Sequence, residues 1–373
     1  MSKILILAND YKTLANFRME LLQQLIAEGH QVILSLPADQ RNSVFSEMGC
    51  ELLEAPISRH GTNPLKELKL IRTYKKQIKS VKPDCVLTFT VKPNIYGSIA
   101  AASLKIPYIN NVTGLGSVMQ SESLMKKLML RLQKYAYRKS SCVFFQNKGN
   151  LDYFRSRKVV KEQGRLLPGS GVNLELHRFT DYPMEEPYID FVVVSRLRQD
   201  KGYDELFCAV DRLLPAYPKI RFHIVGWIEE EVYRAVLDRY RDNDRVIYHG
   251  EVTQSQVHEV VRSCHCLIHP SYHEGMANVV MEAAAAGRPC LVSDIHGCKE
   301  GVDEGATGYR FKVSDAAALQ ASIERFLAES PERHRQMGYA ARTKMEKEFD
   351  RKIVIKKYLE QIHRVTASKA EVL

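Results

Sequence analysis

The chain has 373 residues, 45% hydrophobic and 26% charged, which is typical of a soluble globular protein large enough for two domains. No apolar run approaches the ~20 residues that a membrane-spanning helix needs, and polar residues follow the first apolar run at once, which favours a first strand over a signal peptide. The net charge of +10 is uneven: residues 1–180 carry 27 basic and 13 acidic side chains, and residues 181–373 carry 27 and 31. This asymmetry indicates an anionic partner for the first half, either nucleic acid or a membrane surface.

The first half begins with a predicted βαβ unit. Residues 4–8 form a continuous apolar run typical of a buried parallel strand, residues 17–28 place apolar side chains on one helical face, and residues 32–36 form a second strand. The loop at residues 9–16 lacks the G-x-G-x-x-G fingerprint, so no dinucleotide cofactor is expected. The alternation continues with helices at 64–80, 96–103 and 125–139 and with strands at 86–90, 108–110 and 143–146.

Two of these helices carry a predicted basic face. Basic residues recur at spacings of three, four and three in helix 64–80, and they are interleaved with Leu, Met and Tyr in helix 125–139. This pattern favours helices that lie on an anionic phospholipid surface. The alternative is helices packed on their own domain with a solvated basic face. The residues concerned are Lys69, Arg72, Lys76, Lys79, Lys126, Lys127, Arg131 and Lys134.

A polar, proline-containing stretch at residues 180–187 predicts a domain boundary. The predicted domains are residues 1–178 and 188–350, and a helix within 351–373 is expected to cross back to the first. Alternating elements in both halves predict an α/β fold class with two doubly wound, Rossmann-like parallel sheets. The second domain has predicted strands at 191–194, 221–225, 246–248, 266–269 and 290–293 and helices at 203–214, 229–240, 255–263 and 279–286.

The eight cysteines are scattered and include no C-x-x-C pair, which indicates a reduced, cytosolic protein. Cys264, His265, Cys266 and His269 are imaginable as metal ligands. Their spacing is better explained by a strand, in which successive side chains point to opposite faces of the sheet, so no metal site is expected.

Two carboxylates eight positions apart, Glu274 and Glu282, form the most informative motif of the second half. Glu274 follows a predicted strand, and Glu282 lies inside the next helix, for which Asn278 is a plausible N-cap. Free N–H groups at that helix start would suit a phosphate or a polar sugar face. The alternative is an ordinary strand–loop–helix with two surface glutamates.

Two cations, Arg196 and Lys201, lie just past the first strand of the second domain. In an open α/β sheet, ligands bind at the carboxyl ends of the strands. Fixed cations there neutralise a diphosphate leaving group, although surface cations in a charged loop are the simpler alternative.

Several blocks of the second half together resemble the family-4 retaining glycosyltransferases, whose usual motif is close to P-S-x-x-E-G-x-x-N-x-x-x-E-A-x-A-x-G. Met276 and Ala277 stand where the family most often has Phe-Pro. The first half, through residues 90–94 and 110–117, resembles members that build lipid-linked surface glycans. The other matching blocks are residues 169–173, 195–197 with 201–202, 225–226, 270–287, and Asp294 with Gly297, Glu300, Gly305 and Gly308.

This resemblance implies a GT-B architecture, with two domains facing each other across a cleft, and a nucleotide-sugar donor, most often UDP-linked, on the second domain. Arg196 and Lys201 would hold the diphosphate, Glu282 the ribose hydroxyls and Glu274 the sugar hydroxyls beside the reacting carbon. Transfer would retain the anomeric configuration without a metal or cofactor, because the two cations supply the positive charge. Further donor contacts would come from Gly275, Met276, Ala277, Asn278 and Val279, from Val252 near the base, and from Gly226.

The resemblance also implies an undecaprenyl-diphosphate-linked glycan as acceptor, bound by the first domain. Candidate acceptor contacts are Asn16, Arg18, Lys92 and Thr113. The glycine pair and the histidine that many relatives have on this side are absent from the chain. An acceptor in the cytoplasmic leaflet would explain the basic first half and predicts a cytoplasmic protein, peripheral at the inner face of the plasma membrane.

Two other functions compete with sugar transfer. A UDP-sugar 2-epimerase uses a similar pair of domains without an acceptor, and the paired glutamates with Arg196 and Lys201 favour transfer over it. A non-enzymatic nucleotide- or nucleic-acid-binding protein is suggested only by the charge, because no nucleic-acid-binding motif accompanies it.

Overall fold

The computed structural model describes residues 1–57, 63–114, 124–184 and 187–370. The chain divides into two compact units, Met1–Ser170 with Lys352–Leu373 and Gly171–Arg351. The first unit therefore ends earlier than residue 178, and the turn at residues 171–178 belongs to the second unit. The final helix belongs to the first unit. Part of the predicted glycan-related block, residues 115–117, lies outside the described residues.

The first unit contains a seven-stranded parallel sheet in the order β3-β2-β1-β4-β5-β6-β7. The central strands are apolar and buried along almost their whole length, as expected for a sheet covered on both faces. Its strands are β1 (Lys3–Leu7), β2 (Gln31–Leu36), β3 (Glu51–Glu54), β4 (Cys85–Phe89), β5 (Tyr108–Val112), β6 (Cys142–Phe145) and β7 (Gly164–Leu166). Its helices are α1 (Tyr11–Ala15), α2 (Met19–Ala27), α3 (Ser43–Glu47), α4 (Pro64–Val81), α5 (Ser98–Ser103), α6 (Leu124–Tyr137) and α7 (Lys148–Ser156).

The second unit contains a six-stranded parallel sheet in the order β10-β9-β8-β11-β12-β13. Its strands are β8 (Ile189–Val194), β9 (Ile220–Val225), β10 (Val246–Gly250), β11 (Cys266–His269), β12 (Cys290–Ser293) and β13 (Gly308–Phe311). Its helices are α8 (Tyr203–Ala216), α9 (Val232–Asp238), α10 (Gln254–Ser263), α11 (Asn278–Ala285), α12 (Ala316–Leu327) and α13 (Pro331–Lys344).

These two sheets confirm the predicted fold class of two Rossmann-like α/β units. In each sheet the strand order reverses beside the first strand, between β1 and β4 and between β8 and β11. Such a reversal opens a crevice at the carboxyl ends of the two strands. The loop predicted at residues 9–16 contains the short helix α1, and sequence analysis gave no element for β3, α3, α7 or β13.

The last helix, α14 (Arg351–Ala370), packs on the sheet of the first unit. Its apolar side chains Val354, Tyr358 and Ile362 are buried against β1, β4 and β6. The Tyr358 hydroxyl accepts a hydrogen bond from the Asn111 side chain at the end of β5. The C-terminal segment therefore completes the core of the N-terminal unit. Among the described helices, none combines the length and the apolarity that crossing a bilayer requires.

A buried arginine fixes the carboxyl end of α11 in the second unit. The side chain of Arg288 is 1% exposed and donates to backbone carbonyls of Thr180, Asp181, Ala286, Gly287 and Arg262 at 2.5–3.3 Å. Burial lowers the pKa of Arg288 to about 10, so the guanidinium remains charged at neutral pH. One side chain thus ties together three backbone segments that are distant in sequence.

Replacing Arg288 by Met should lower the free energy of unfolding by about 3 kcal/mol or more, because several buried carbonyls lose their donor together. Urea denaturation followed by far-UV circular dichroism measures the change. The matched control is Arg335→Met, which removes an exposed pair with Glu332 and a contact with the ring of Tyr339 on α13 and should leave the midpoint nearly unchanged. Equal midpoints for the two variants would contradict the proposed structural role.

Candidate active site

The strand reversal of the second sheet places the two loops with the predicted site residues side by side. The loop after β8 carries Arg196 and Lys201, and the loop after β11 carries Glu274. β8 and β11 are hydrogen-bonded neighbours through the pairs Phe191 with Cys266 and Val192 with Leu267. Their loops therefore leave the same edge of the sheet, although about seventy residues separate them in sequence.

Lys201 and Glu274 form an ion pair at this edge. The Lys201 ammonium lies 2.5 Å from Oε1 of Glu274 and 3.4 Å from the hydroxyl of Ser271. Only 14% and 16% of the two side chains are exposed. The backbone supports the pair, because the amide of Tyr272 donates to the carbonyl of Asp200 at 2.9 Å. Two residues that sequence analysis predicted for one site are thus in direct contact.

Two glycines permit the close approach of these loops. Gly202 has φ of +76°, and a β-carbon there would lie 2.2 Å from the carbonyl oxygen of Pro270. Gly297 has φ of +95°, and a β-carbon there would lie 2.8 Å from the carbonyl oxygen of Glu274. Both positions combine left-handed backbone with close packing, so only glycine fits without strain.

A histidine at the end of β11 supports the ionised form of Glu274. Nε2 of His269 lies 3.1 Å from the same Oε1 that contacts Lys201. Burial on its own raises the pKa of Glu274, but the hydrogen bond from His269 and the charge of Lys201 outweigh it and hold this pKa far below its usual range. Glu274 is therefore a carboxylate at any physiological pH. The predicted motif did not include His269 as a partner.

Arg196 lies on the same loop but contacts a different partner. Its guanidinium is 2.7 Å from Glu229, in the loop after β9, and 5.9 Å from the ring centroid of Trp227. The side chain is 37% exposed, so it remains accessible to a ligand. Trp227, the single tryptophan of the chain, is 41% exposed. Sequence analysis did not identify Trp227, although its exposure beside a candidate phosphate contact makes it a useful optical probe.

Glu282 occupies a different environment inside α11. His177 is one ionisable neighbour, and its Nε2 lies 3.9 Å from Oε1 of Glu282. Burial raises the pKa of Glu282 to about 7, and the charge of Arg351 opposes this shift. Burial, with the neighbouring His258, lowers the pKa of His177 to about 3, so this imidazole is neutral at pH 7. Neither histidine was predicted from the sequence.

The start of α11 differs from the prediction in one respect. Ala277 is the N-cap, and no side chain caps the helix. The prediction that Asn278 is the N-cap was wrong, because Asn278 is the first helical residue; its Oδ1 is buried and accepts no hydrogen bond within the described residues. Met276 and Ala277 are buried, whereas Gly275, Asn278 and Val279 are half-buried. As in any α-helix, the amides of the first turn have no carbonyl partner one turn earlier.

The other predicted donor contacts lie on neighbouring loops of the same sheet. Gly226 directly follows β9, and its amide donates to the carbonyl of Gly250 at 2.9 Å. Val252 follows β10 and precedes Thr253, the N-cap of α10. The predicted donor residues thus follow β8, β9, β10 and β11, which adjoin one another in the sheet.

The predicted acceptor residues have unequal exposure in the first unit. Asn16 is exposed after α1, Thr113 is half-buried after β5, and the Lys92 ammonium lies 2.6 Å from Glu67 of α4. Arg18 requires a correction: it is 3% exposed, with its guanidinium 5.0 Å from the Phe89 ring centroid. Since aromatic side chains enclose it, Arg18 is not a surface contact for an acceptor.

The predicted basic faces are exposed except at one position. Lys126 requires a correction, because it is 8% exposed and its ammonium lies 5.8 Å from the ring centroid of Tyr153 on α7. The remaining seven basic residues named for α4 and α6 are exposed. Large apolar side chains are exposed on the same two helices, namely Leu65 and Leu68 on α4 and Leu124, Met125, Leu128 and Tyr135 on α6.

Two family models match this chain, one in each half. Residues 178–344 match the family model described as glycosyl transferases group 1, and residues 3–147 match the model described as glycosyl transferase 4-like. The N,N'-diacetylbacillosaminyl-diphospho-undecaprenol alpha-1,3-N-acetylgalactosaminyltransferase of Campylobacter jejuni is 26% identical over 367 residues, which is 94% of this chain and 95% of that protein.

Solved structures of low sequence identity share the fold. HepE from Anabaena, in complex with UDP, has a TM-score of 0.79 at 17% identity and covers 97% of this chain and 100% of that chain. A candidate UDP-N-acetylglucosamine 2-epimerase from Listeria monocytogenes has a TM-score of 0.70 at 14% identity, over 97% of this chain and 96% of that chain. At these identities the likeness concerns the fold alone.

The fold and the two family models together define the class of this protein, which is a glycosyltransferase with the GT-B fold. The chain belongs to the family-4-like glycosyltransferases, as the motif around Glu274 and Glu282 predicted.

Replacing Lys201 by Met should lower the free energy of unfolding by about 3 kcal/mol, because a buried carboxylate then loses its cation. The double variant Lys201→Met/Glu274→Gln should lose less than the sum of the two single changes, with a coupling energy of about 1–3 kcal/mol. Urea denaturation of the four proteins measures this cycle. Lys312→Met, which removes only an exposed pair with Asp315, is the control. Additive losses would refute a direct interaction.

Proposed function

We propose that this glycosyltransferase moves an N-acetylhexosamine or hexose from a UDP-linked donor to an undecaprenyl-diphosphate-linked glycan, with retention of anomeric configuration. The observation that carries the proposal is the buried Lys201–Glu274 pair at the carboxyl edge of the second sheet. The lipid-linked acceptor is supported by the similarity to the Campylobacter jejuni enzyme over nearly the whole chain. The UDP donor is supported by the likeness to HepE, whose structure contains UDP.

The donor is held by charges of opposite sign. Lys201 and Arg196 neutralise the diphosphate, while Glu274 accepts hydrogen bonds from hydroxyls of the sugar. Glu282 accepts hydrogen bonds from the ribose, and the amides at the start of α11 face the phosphates or the sugar. Trp227 and the backbone near Val252 border the nucleobase. Because the fixed cations supply the positive charge, the transfer proceeds without a metal ion.

The chemical step exchanges one bond at the anomeric carbon for another. The bond from this carbon to the diphosphate oxygen breaks, and a bond to the acceptor hydroxyl oxygen forms on the same face of the ring. The hydroxyl proton passes to the departing diphosphate. Lys201 lowers the barrier, because its charge opposes the negative charge that develops on the leaving group. Glu274 stays ionised because Lys201 and His269 hold its pKa low, and it orients the sugar.

The acceptor binds the first unit. Asn16, Lys92 and Thr113 lie beyond the carboxyl ends of β1, β4 and β5, which adjoin one another in the sheet. The exposed basic and apolar side chains of α4 and α6 bring this unit to the anionic surface in which a polyprenyl-diphosphate resides. The protein thus works as a peripheral enzyme at the cytoplasmic face of the membrane.

The epimerase-like fold of the Listeria monocytogenes protein supports one alternative. A 2-epimerase converts a UDP-sugar by itself, whereas a transferase releases UDP only when an acceptor is present. Conversion of the donor without an acceptor is therefore the result that favours the alternative.

The transfer assay should show UDP release that depends on a lipid-linked acceptor, and Glu274→Gln and Lys201→Met should each lower kcat/KM by at least about 100-fold. The Lys201→Met/Glu274→Gln variant is the decisive control. It should lose less stability than the sum of the two single losses yet remain inactive, because it contains neither charged group. Transfer near the wild-type rate in either single variant would reject the assignment.

Donor class is measured by titrating UDP, GDP and ADP while following Trp227 fluorescence and thermal unfolding. A ligand at 100 times its Kd stabilises the native state by about 2.7 kcal/mol, so UDP should raise Tm and the other two nucleotides should not. Loss of this response in Lys201→Met supports the diphosphate contact. A preference for GDP would keep the transferase and change the donor.

Binding to vesicles should depend on the basic faces of the first unit. Neutralising two of these residues, Lys69→Gln with Lys127→Gln, should weaken binding to vesicles that contain anionic lipid by about 2 kcal/mol, or about 30-fold. Sedimentation with anionic and with neutral vesicles measures the partition. Arg234→Gln with Arg241→Gln makes the same charge change on exposed residues of the second unit. Equal effects of the two double variants would contradict a specific membrane surface.

A further inference from the structure

Three side chains around α11 form a cluster of which the proposed function uses only Glu282. One potential ligand atom from each of His177, His258 and Glu282 lies within 4.8 Å of the other two. Nε2 of His177 is 3.9 Å from Oε1 of Glu282, and the two imidazole rings meet edge to face with their centroids 4.2 Å apart. All three belong to the second unit and line one small cavity.

One polar atom of this cluster lacks the partner that a buried group usually has. Nε2 of His258 is fully buried and has no hydrogen-bond partner within the described residues. The contact of Glu282 with His177 is longer than a hydrogen bond. Buried polar atoms without partners are costly, and each calls for an explanation such as a bound ion. His258 therefore brings a ring nitrogen without a partner to a cluster whose other two members are also potential metal ligands.

We propose that His177, His258 and Glu282 bind a divalent transition-metal ion of the Zn²⁺ type. Two imidazole nitrogens and one carboxylate oxygen are a ligand set that zinc accepts, with a fourth position open to water. Zinc–nitrogen bonds of about 2.0–2.1 Å in a tetrahedron require ligand atoms about 3.4 Å apart, so the 3.9 Å separation of His177 and Glu282 needs only a small side-chain adjustment. Arg262 also lines the cavity and donates to the carbonyl of His258 at 3.2 Å; its charge limits the affinity.

The metal is an inhibitor rather than a catalyst. This second part rests on the proposed function, in which Glu282 binds the donor ribose. A carboxylate that coordinates zinc is not available to ribose hydroxyls, so zinc and UDP compete. Zinc should therefore raise the donor KM and leave kcat unchanged.

The test is a titration of the chelator-treated full chain with Zn²⁺ by calorimetry and with Co²⁺ by visible absorption. One equivalent should bind, and His258→Gln and His177→Gln should each weaken binding at least about tenfold. The matched control is His363→Gln, which disrupts the other set of potential ligands in the described residues, the more exposed Glu28, His30 and His363. Circular dichroism verifies that each variant is folded.

Each result of this titration either supports or overturns the proposed metal site. No binding, unchanged binding in both cluster variants, or loss of binding in His363→Gln overturns the metal site. Loss in the cluster variants alone establishes it, whether or not UDP binds. If zinc binds at the cluster and UDP binds without competition, the metal site stands and the ribose role of Glu282 fails.

Discussion

The candidate active site depends on one interaction, the buried pair between Lys201 and Glu274. The pair exists because β8 and β11 adjoin where the strand order reverses, which brings two loops from distant parts of the chain to one edge. Gly202 and Gly297 permit the close packing that brings the charges together. In a low-dielectric setting such a pair costs desolvation energy, and one partner alone would be strongly destabilising. The pair therefore contributes little net stability. It instead provides fixed charges that suit a polar ligand.

Most of the fold could be predicted from the sequence, since the central strands are uninterrupted apolar runs separated by amphipathic helices. The missed elements are those in which local pattern is weak. β3 is an edge strand with exposed glutamates at both ends, and α3 has only five residues. Strand order itself is not encoded locally: it follows from the right-handed crossovers of parallel units.

Site residues that belong to a local sequence motif could be predicted. Contacts from residues far away in the sequence could not. The motif identified Glu274 and Glu282, and the position after β8 identified the two cations, but neither identified His269 or His177 as a partner. The predictions that Arg18 contacts the acceptor and that Lys126 contacts the membrane were wrong for the same reason. Their burial arises from Tyr358 on the last helix and Tyr153 on α7, and helical periodicity contains no information about either neighbour.

The two glutamates of the motif have different pKa values because their surroundings differ. Burial raises the pKa of both, but Glu274 has Lys201 and His269 within hydrogen-bond reach, whereas Glu282 faces a neutral histidine at 3.9 Å. One carboxylate is therefore permanently ionised, and the other titrates near pH 7. The charge of Arg351 offsets only part of the effect of burial on Glu282. Hydroxyls or a cation beside Glu282 would supply interactions of the kind that Glu274 already obtains from Lys201 and His269.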